Sequence, residues 1–168
     1  MTYLIDGHNL IGAELIPGIH IDQEDDEARL VAWLRARQPN LRAPITVVFD
    51  GGAPGGTSLA LSGGGVTAVF AARYRTQADS VIIRRVQNAP NPSHMTVVTR
   101  DRDLQRAVSH LGASVMQPAD FVQRMNRPRR PPSVRRSSAK IEPKLPKSEV
   151  EAWLALFGVT DDEDHDQG

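Results

Sequence analysis

Residues 3–9 read Tyr-Leu-Ile-Asp-Gly-His-Asn, three large apolar side chains that stop at a carboxylate. A run this short is unsuited to a helix and fits a buried strand, and the charge that ends it marks where the chain leaves the core. The same grammar recurs downstream. Ile45–Phe49 ends at Asp50, Val66–Phe70 follows a glycine-rich stretch, Met95–Thr99 stops just before Asp101, and Ser114–Met116 is a last short run. Between these the apolar period lengthens. Asp25–Arg37 places Ala28, Leu30, Val31 and Leu34 on one helical face, with Asp25, Asp26 and Glu27 where negative charge suits a helix N-terminus. Ala78–Val86, Asp103–Leu111 and Pro118–Met125 repeat the helical period, Gly112 closing the second and Pro118 opening the third. Strands alternating with helices predict a three-layer α/β/α, Rossmann-like domain over residues 1–126, its central sheet mainly parallel and covered on both faces.

The rest of the chain bounds that domain. At 168 residues and 18.4 kDa it suits one core. It has no cysteine, which excludes disulfides, thiolate zinc sites and cysteine nucleophiles, so any metal must sit on oxygen or imidazole. The start of the sequence meets Asp6 too soon for a signal peptide, and no apolar run approaches the roughly 20 residues of a membrane span. A cytoplasmic protein with no membrane contact is the expectation. Twenty basic residues balance twenty acidic ones, yet the balance is local only in residues 1–126, with twelve of each. Residues 127–147 carry eight bases against one acid among five prolines and three serines, the composition of an extended basic linker. Ser148 and Glu151 then have capping-box spacing ahead of Val150, Trp153, Leu154 and Phe157, which predicts an amphipathic C-terminal helix over 148–158. An acidic tail, 159–168, follows.

The acids of the body fall in a pattern. Open α/β sheets gather their functional groups at the carboxyl ends of the strands, where loops converge and helix N-termini point inward. Asp6 follows the first strand and Asp50 the second, Asp101 and Asp103 follow the fourth, and Asp79 opens the helix after the third. Each aspartate taken singly is equally well read as a helix cap or turn former. Five at one rim repel one another by several kcal/mol at low dielectric unless a cation intervenes. Hard carboxylate oxygens favour Mg²⁺ or Mn²⁺, and such a centre suits phosphodiester hydrolysis. Asn9, at the start of a loop, could hold a water or phosphate oxygen, or stabilise the turn. Gly7 is expected to let the backbone turn beneath the metal, Thr99 to bond a carboxylate, and His8 to support the site rather than act as its base. Gly51–Gly65 holds seven glycines, but Thr57 stands where a phosphate-binding loop needs its lysine, so the stretch reads as a flap or an inert loop.

Four ordered blocks now coincide: YLIDGHNLI at Tyr3–Ile11, VVFDGG at Val47–Gly52, ADSVI at Ala78–Ile82 and VVTRDRDLQ at Val97–Gln105, followed by the Gly112–Ala113 turn. Over roughly residues 1–125 the chain resembles the NYN domain of the PIN-like nuclease superfamily, in its bacterial YacP-like branch. The resemblance implies a metal-dependent ribonuclease in which Asp6, Asp79, Asp101 and Asp103 bind Mg²⁺ or Mn²⁺, with Asn9 and Asp50 in the same catalytic pocket. It also implies a role in RNA metabolism, with the ribosome as an expected partner, and leaves open a homodimer.

The cations fit a nucleic-acid substrate. Arg73 and Arg75 precede Asp79, and Arg100 and Arg102 alternate with Asp101 and Asp103, so they can flank a scissile phosphate with Tyr74 as a stacking face; salt bridges to the same acids are the alternative. The linker cations, Arg129 and Arg130 among them, add sequence-independent affinity through counterion release. Two functions therefore stand at this point: an endoribonuclease acting on single-stranded RNA, ribosome-associated mRNA included, and a catalytically silent RNA- or ribosome-binding module. A phosphatase or DNA nuclease on the same scaffold is a weaker third.

Overall fold

The computed structural model describes residues 1–51, 55–71 and 77–127. The expected linker, C-terminal helix and acidic tail lie outside the described residues apart from Arg127. In chain order the elements are β1 (Thr2–Asp6), α1 (Gly7–Ile11), α2 (Asp26–Leu41), β2 (Ile45–Phe49), β3 (Gly56–Gly63), β4 (Val66–Phe70), α3 (Ala78–Gln87), a 3-10 turn (Pro92–His94), β5 (Met95–Val98), α4 (Arg102–His110), β6 (Ser114–Met116) and α5 (Pro118–Asn126). The six strands form one sheet in the order β3-β4-β2-β1-β5-β6, parallel throughout except for β3, which pairs antiparallel with β4. The expected α/β class and three layers hold.

Strand alternation builds the two cores. Tyr3 and Ile5 of β1, with Val47 and Phe49 of β2, pack with Leu30, Val31 and Leu34 of α2 and Phe121 and Met125 of α5 on one face. Leu4, Val48 and Val97 turn the other way and pack with Val81, Ile82 and Val86 of α3 and Leu104 and Val108 of α4. Each such side chain, fully buried, contributes roughly 1.5–3 kcal/mol before chain entropy is charged against it.

Four expectations need correction. The glycine-rich segment is no loop: Gly56–Gly63 is an edge strand, and Gly63, Gly64 and Gly65, all at positive φ, turn it into β4. Asn9 lies inside the short helix α1 rather than at the start of a loop. Gly7 keeps an ordinary φ; what forbids a side chain there is the Phe49 ring, into which a Cβ would collide. Ala28 is exposed, and the position that joins Leu30 and Leu34 on the buried stripe of α2 is Asp26, only 4% exposed.

Candidate active site

β1 lies between β2 and β5 in the sheet, and its chain continues toward β2 while that of β5 continues toward β6. The loops leaving β1 and β5 therefore part in opposite directions, and the crevice this opens at the strands' carboxyl ends is where an open α/β sheet binds ligands. Asp6 stands on one lip of it. The residue is 6% exposed, and its carboxylate caps α1 by accepting the Asn9 backbone N–H at 3.2 Å. Asp101 stands on the other lip and caps α4, one oxygen accepting from the Asp103 and Leu104 N–H groups at 2.8 and 3.1 Å. Asp50, just past β2, accepts the Ala78 N–H and so ties the second strand end to the N-terminus of α3, where Asp79 occupies the first turn. Capping and convergence turn out to be one arrangement. Of the five aspartates, Asp6 and Asp101 are the helix caps.

The charges feel one another. Burial pushes the Asp6 carboxyl up to about 6; the Asn9 hydrogen bond works against this, and the negative charges of Asp79 and Asp50 add to it. Burial also raises Asp79, helped by the charges of Asp101 and Asp50. Asp6, Asp50, Asp79 and Asp101 are thus hard oxygen donors linked by like-charge repulsion, which His8 partly offsets at Asp6, although no three of them bring ligand atoms within 4.8 Å of one another as the crowded rim was expected to. That donor set fits a divalent cation of the Mg²⁺ class. Asp103 stands apart: its side chain is 93% exposed and faces Arg106 at 3.4 Å.

Behind the rim lies a second cluster that the sequence reading missed. One ligand atom each from His8, Asp26 and Glu27 come within 4.8 Å of one another, the one such trio among the described residues. Burial lifts Asp26 to about 6, and the neighbouring Glu27 adds to the rise. Glu27 is held below its ordinary value: burial opposes its charge, but hydrogen bonds from Asp26 and from its own backbone, with the nearby imidazole, outweigh it. His8 Nε2 lies 3.5 Å from Glu27, while Nδ1 accepts the Asp50 N–H at 3.2 Å and the ring packs edge-on against Phe49. The cluster therefore braces Asp50, and through Asp50 the helix that carries Asp79. The signal that could have found it is spacing: Asp26, Leu30 and Leu34 are four apart, and an acid on a buried stripe needs partners.

Asn9 closes the crevice from the side. Its Oδ1 accepts the Arg100 N–H at 2.8 Å, and the Arg100 guanidinium donates back to the Gly12 carbonyl at 3.0 Å, so the two loops are stitched together across the sheet's switch point. Thr99 bonds the Asp101 backbone N–H at 3.1 Å rather than a carboxylate. Arg102 is exposed at the start of α4. Arg73, Tyr74, Arg75, Arg129 and Arg130 lie outside the described residues.

Comparison with known proteins agrees with this fold. Residues 3–156 match the family model described as the YacP-like NYN domain, a span that runs some way past residue 125. Two crystal structures of Rae1 (YacP) from Bacillus subtilis share the fold. One matches with a TM-score of 0.61 at 23% identity, covering 74% of this chain and 73% of that one. The other, a tryptophan-to-leucine mutant of the same protein, matches with a TM-score of 0.57 at 22% identity, covering 74% of each chain. No curated protein sequence matches.

Proposed function

Since the chain belongs to the YacP-like NYN domain family, a group of nuclease-type domains, we propose that it is a divalent-metal-dependent endoribonuclease that hydrolyses phosphodiester bonds of single-stranded RNA. The observation that carries the reading is the electrostatic unit of Asp6, Asp50, Asp79 and Asp101 at the switch point, with Asp6 raised to about 6 by burial and by its acidic neighbours. Asp6, Asp79 and Asp101 are the residues that would hold Mg²⁺ or Mn²⁺, with Asp50 beside them and Asp103 at the margin. When bound, the cation supplies Lewis-acid polarisation of the phosphodiester and acidifies the attacking water.

The chain's own residues do the positioning. Asp6 and Asp101 are fixed by the helix N-termini they cap, so their carboxylates cannot swing away from the crevice. Asp50 holds the first turn of α3, and with it Asp79, against β2. Asn9 and Arg100 set the width of the crevice. Arg102, with Arg73 and Arg75 and the linker cations Arg129 and Arg130, would hold the RNA backbone on either side of the scissile phosphate. Messenger RNA on the ribosome is the substrate context we favour, the basic stretch 127–147 adding non-specific affinity.

A catalytically silent RNA-binding module is the second reading, favoured by one observation: the rim carboxylates already serve as caps. Incubation of the full chain with single-stranded RNA and Mn²⁺, beside an Asp101→Asn variant and an excess of EDTA, separates the two. Cleavage lost in both controls is the expected result. Cleavage that survives both, or none by the wild type, would overturn the nuclease reading.

A further inference from the structure

α4 has two unlike faces. Leu104 and Val108 are buried against the sheet, while the opposite side carries Arg102, Arg106 and His110, four residues apart and therefore stacked along one line. At 1.5 Å per residue that line is about 12 Å long, with about 6 Å between successive members. It borders an open groove of about 630 Å³ between α4 and β6, lined by Arg102, Gln105, Arg106, Ser109, His110 and Val115. Among the described residues no carboxylate lines it. The nearest acid on the helix, Asp103, is 93% exposed and its carboxylate accepts a hydrogen bond from the Arg106 guanidinium at 3.4 Å, an exposed pair that a phosphate would have to compete with. Gln105 is fixed by a 2.7 Å hydrogen bond from its amide to the Thr99 carbonyl, so the wall of the groove is anchored to the strand that leads into the crevice.

We infer that this groove is the track for one arm of the RNA strand, receiving its phosphates in succession as they leave the crevice; the inference rests on the ribonuclease reading above. Three features commit it to that occupant. The groove begins where the site ends, since Arg102 directly follows Asp101. It carries two guanidinium groups and an imidazole with no acid among its described lining residues, a complement to a chain of phosphates. Its donors repeat along a line, as a repeating anion requires, and Ser109 adds a neutral hydroxyl of the kind that contacts phosphate oxygens. The half-buried Val115 on β6 gives a base an apolar surface.

The test is fluorescence anisotropy of the full chain with a labelled single-stranded RNA of about twelve nucleotides, a length within known single-strand site sizes, titrated in EDTA over a series of salt concentrations. Two variants alter the groove donors, Arg106→Ala/His110→Ala and the charge reversal Arg106→Glu; a third, Arg84→Ala/Arg85→Ala, removes exposed cations of α3. The groove variants are expected to raise Kd by roughly three- to tenfold, and to flatten the salt dependence by about 0.7 in slope for each cation lost. In a Mn²⁺ cleavage assay the same loss falls on KM rather than kcat. The α3 variant should track the wild type. Groove variants that bind and cleave like the wild type overturn the track and leave the nuclease reading standing. Groove-dependent binding by a protein that does not cut RNA overturns the nuclease reading and leaves the track. Equal loss in the α3 variant reduces the effect to net charge and overturns the track as well.

Discussion

Two groups of acids lie close to His8, and they resolve their charge in different ways. Asp26 and Glu27 shift one another in opposite directions, Asp26 up and Glu27 down, and they lie beside an imidazole, so their charge is balanced inside the protein. Asp6 and Asp79 are also desolvated, yet the charged groups that act on them are chiefly other carboxylates, Asp50 and Asp101. A buried charge must be paired, protonated or neutralised by a cation. The inner cluster sets its acids against an imidazole and behaves as a brace, whereas the rim carboxylates are set chiefly against one another, which is the contrast the proposed ion site rests on.

The largest effect that could break this contrast is on activity. Asp6→Asn keeps an oxygen to accept the Asn9 N–H, so the cap and the fold survive while a carboxylate is lost. RNA cleavage with Mn²⁺ should fall at least about a hundredfold, beyond what loss of a supporting residue behind a metal site does. Activity within a few fold of wild type would show that the rim is no ion site.

The same substitution should act oppositely on stability. Because the folded state holds the Asp6 proton up to about pH 6 against an ordinary value of 3.8, its contribution is fully present below 3.8 and lost as the pH rises through 6. In EDTA at pH 7, Asp6→Asn should therefore stabilise the protein, by up to about 3 kcal/mol, and the gain should vanish near pH 4. Mn²⁺ should raise the melting temperature of the wild type and leave the variant unmoved. Asp26→Asn, whose amide can still donate to Glu27, should leave that Mn²⁺ response intact. Thermal melts at two pH values, with and without the ion, read all four outcomes.

How far the sequence foretold this division depends on the signal each residue carries. The parallel strands were legible because burial on both faces writes them as unbroken apolar runs, Ile45–Phe49 being the plainest. β3 was not, since an edge strand needs no such run and Gly-Thr-Ser-Leu-Ala-Leu-Ser-Gly reads as loop. The rim was legible as strand-end acids because topology alone collects Asp6, Asp50 and Asp101 at one end of the sheet. Topology does not fix side-chain direction, so Asp103, two residues from Asp101, looked equivalent and is not. Asp26 was hidden by its neighbours: three acids in a row suit a helix N-terminus, and only the spacing to Leu30 separates the buried one from the two beside it.

The two smallest effects sharpen the comparison at its boundary. Glu27→Gln removes the charge facing His8 Nε2 while keeping the shape of the side chain, so His8 loses its partner and Asp50 part of its support. If the inner cluster acts only by positioning, kcat should fall by roughly tenfold, in the range of a residue behind a metal site, with KM for RNA unchanged. Glu27→Asp, which retains the charge, should recover part of that loss. A fall as deep as that of Asp6→Asn would mean that Glu27 itself meets the ion and that the two clusters are one. Asp103→Asn marks the other edge. Its carboxylate is almost wholly in solvent, and its backbone N–H, which Asp101 needs, survives the change. Cleavage should stay within about twofold and stability within about 0.5 kcal/mol, the scale of an ordinary surface substitution. A large loss of Mn²⁺-dependent cleavage with an unaltered melting temperature would instead draw Asp103 into the ion's shell and require α4 to turn its first residues inward when RNA and metal are bound.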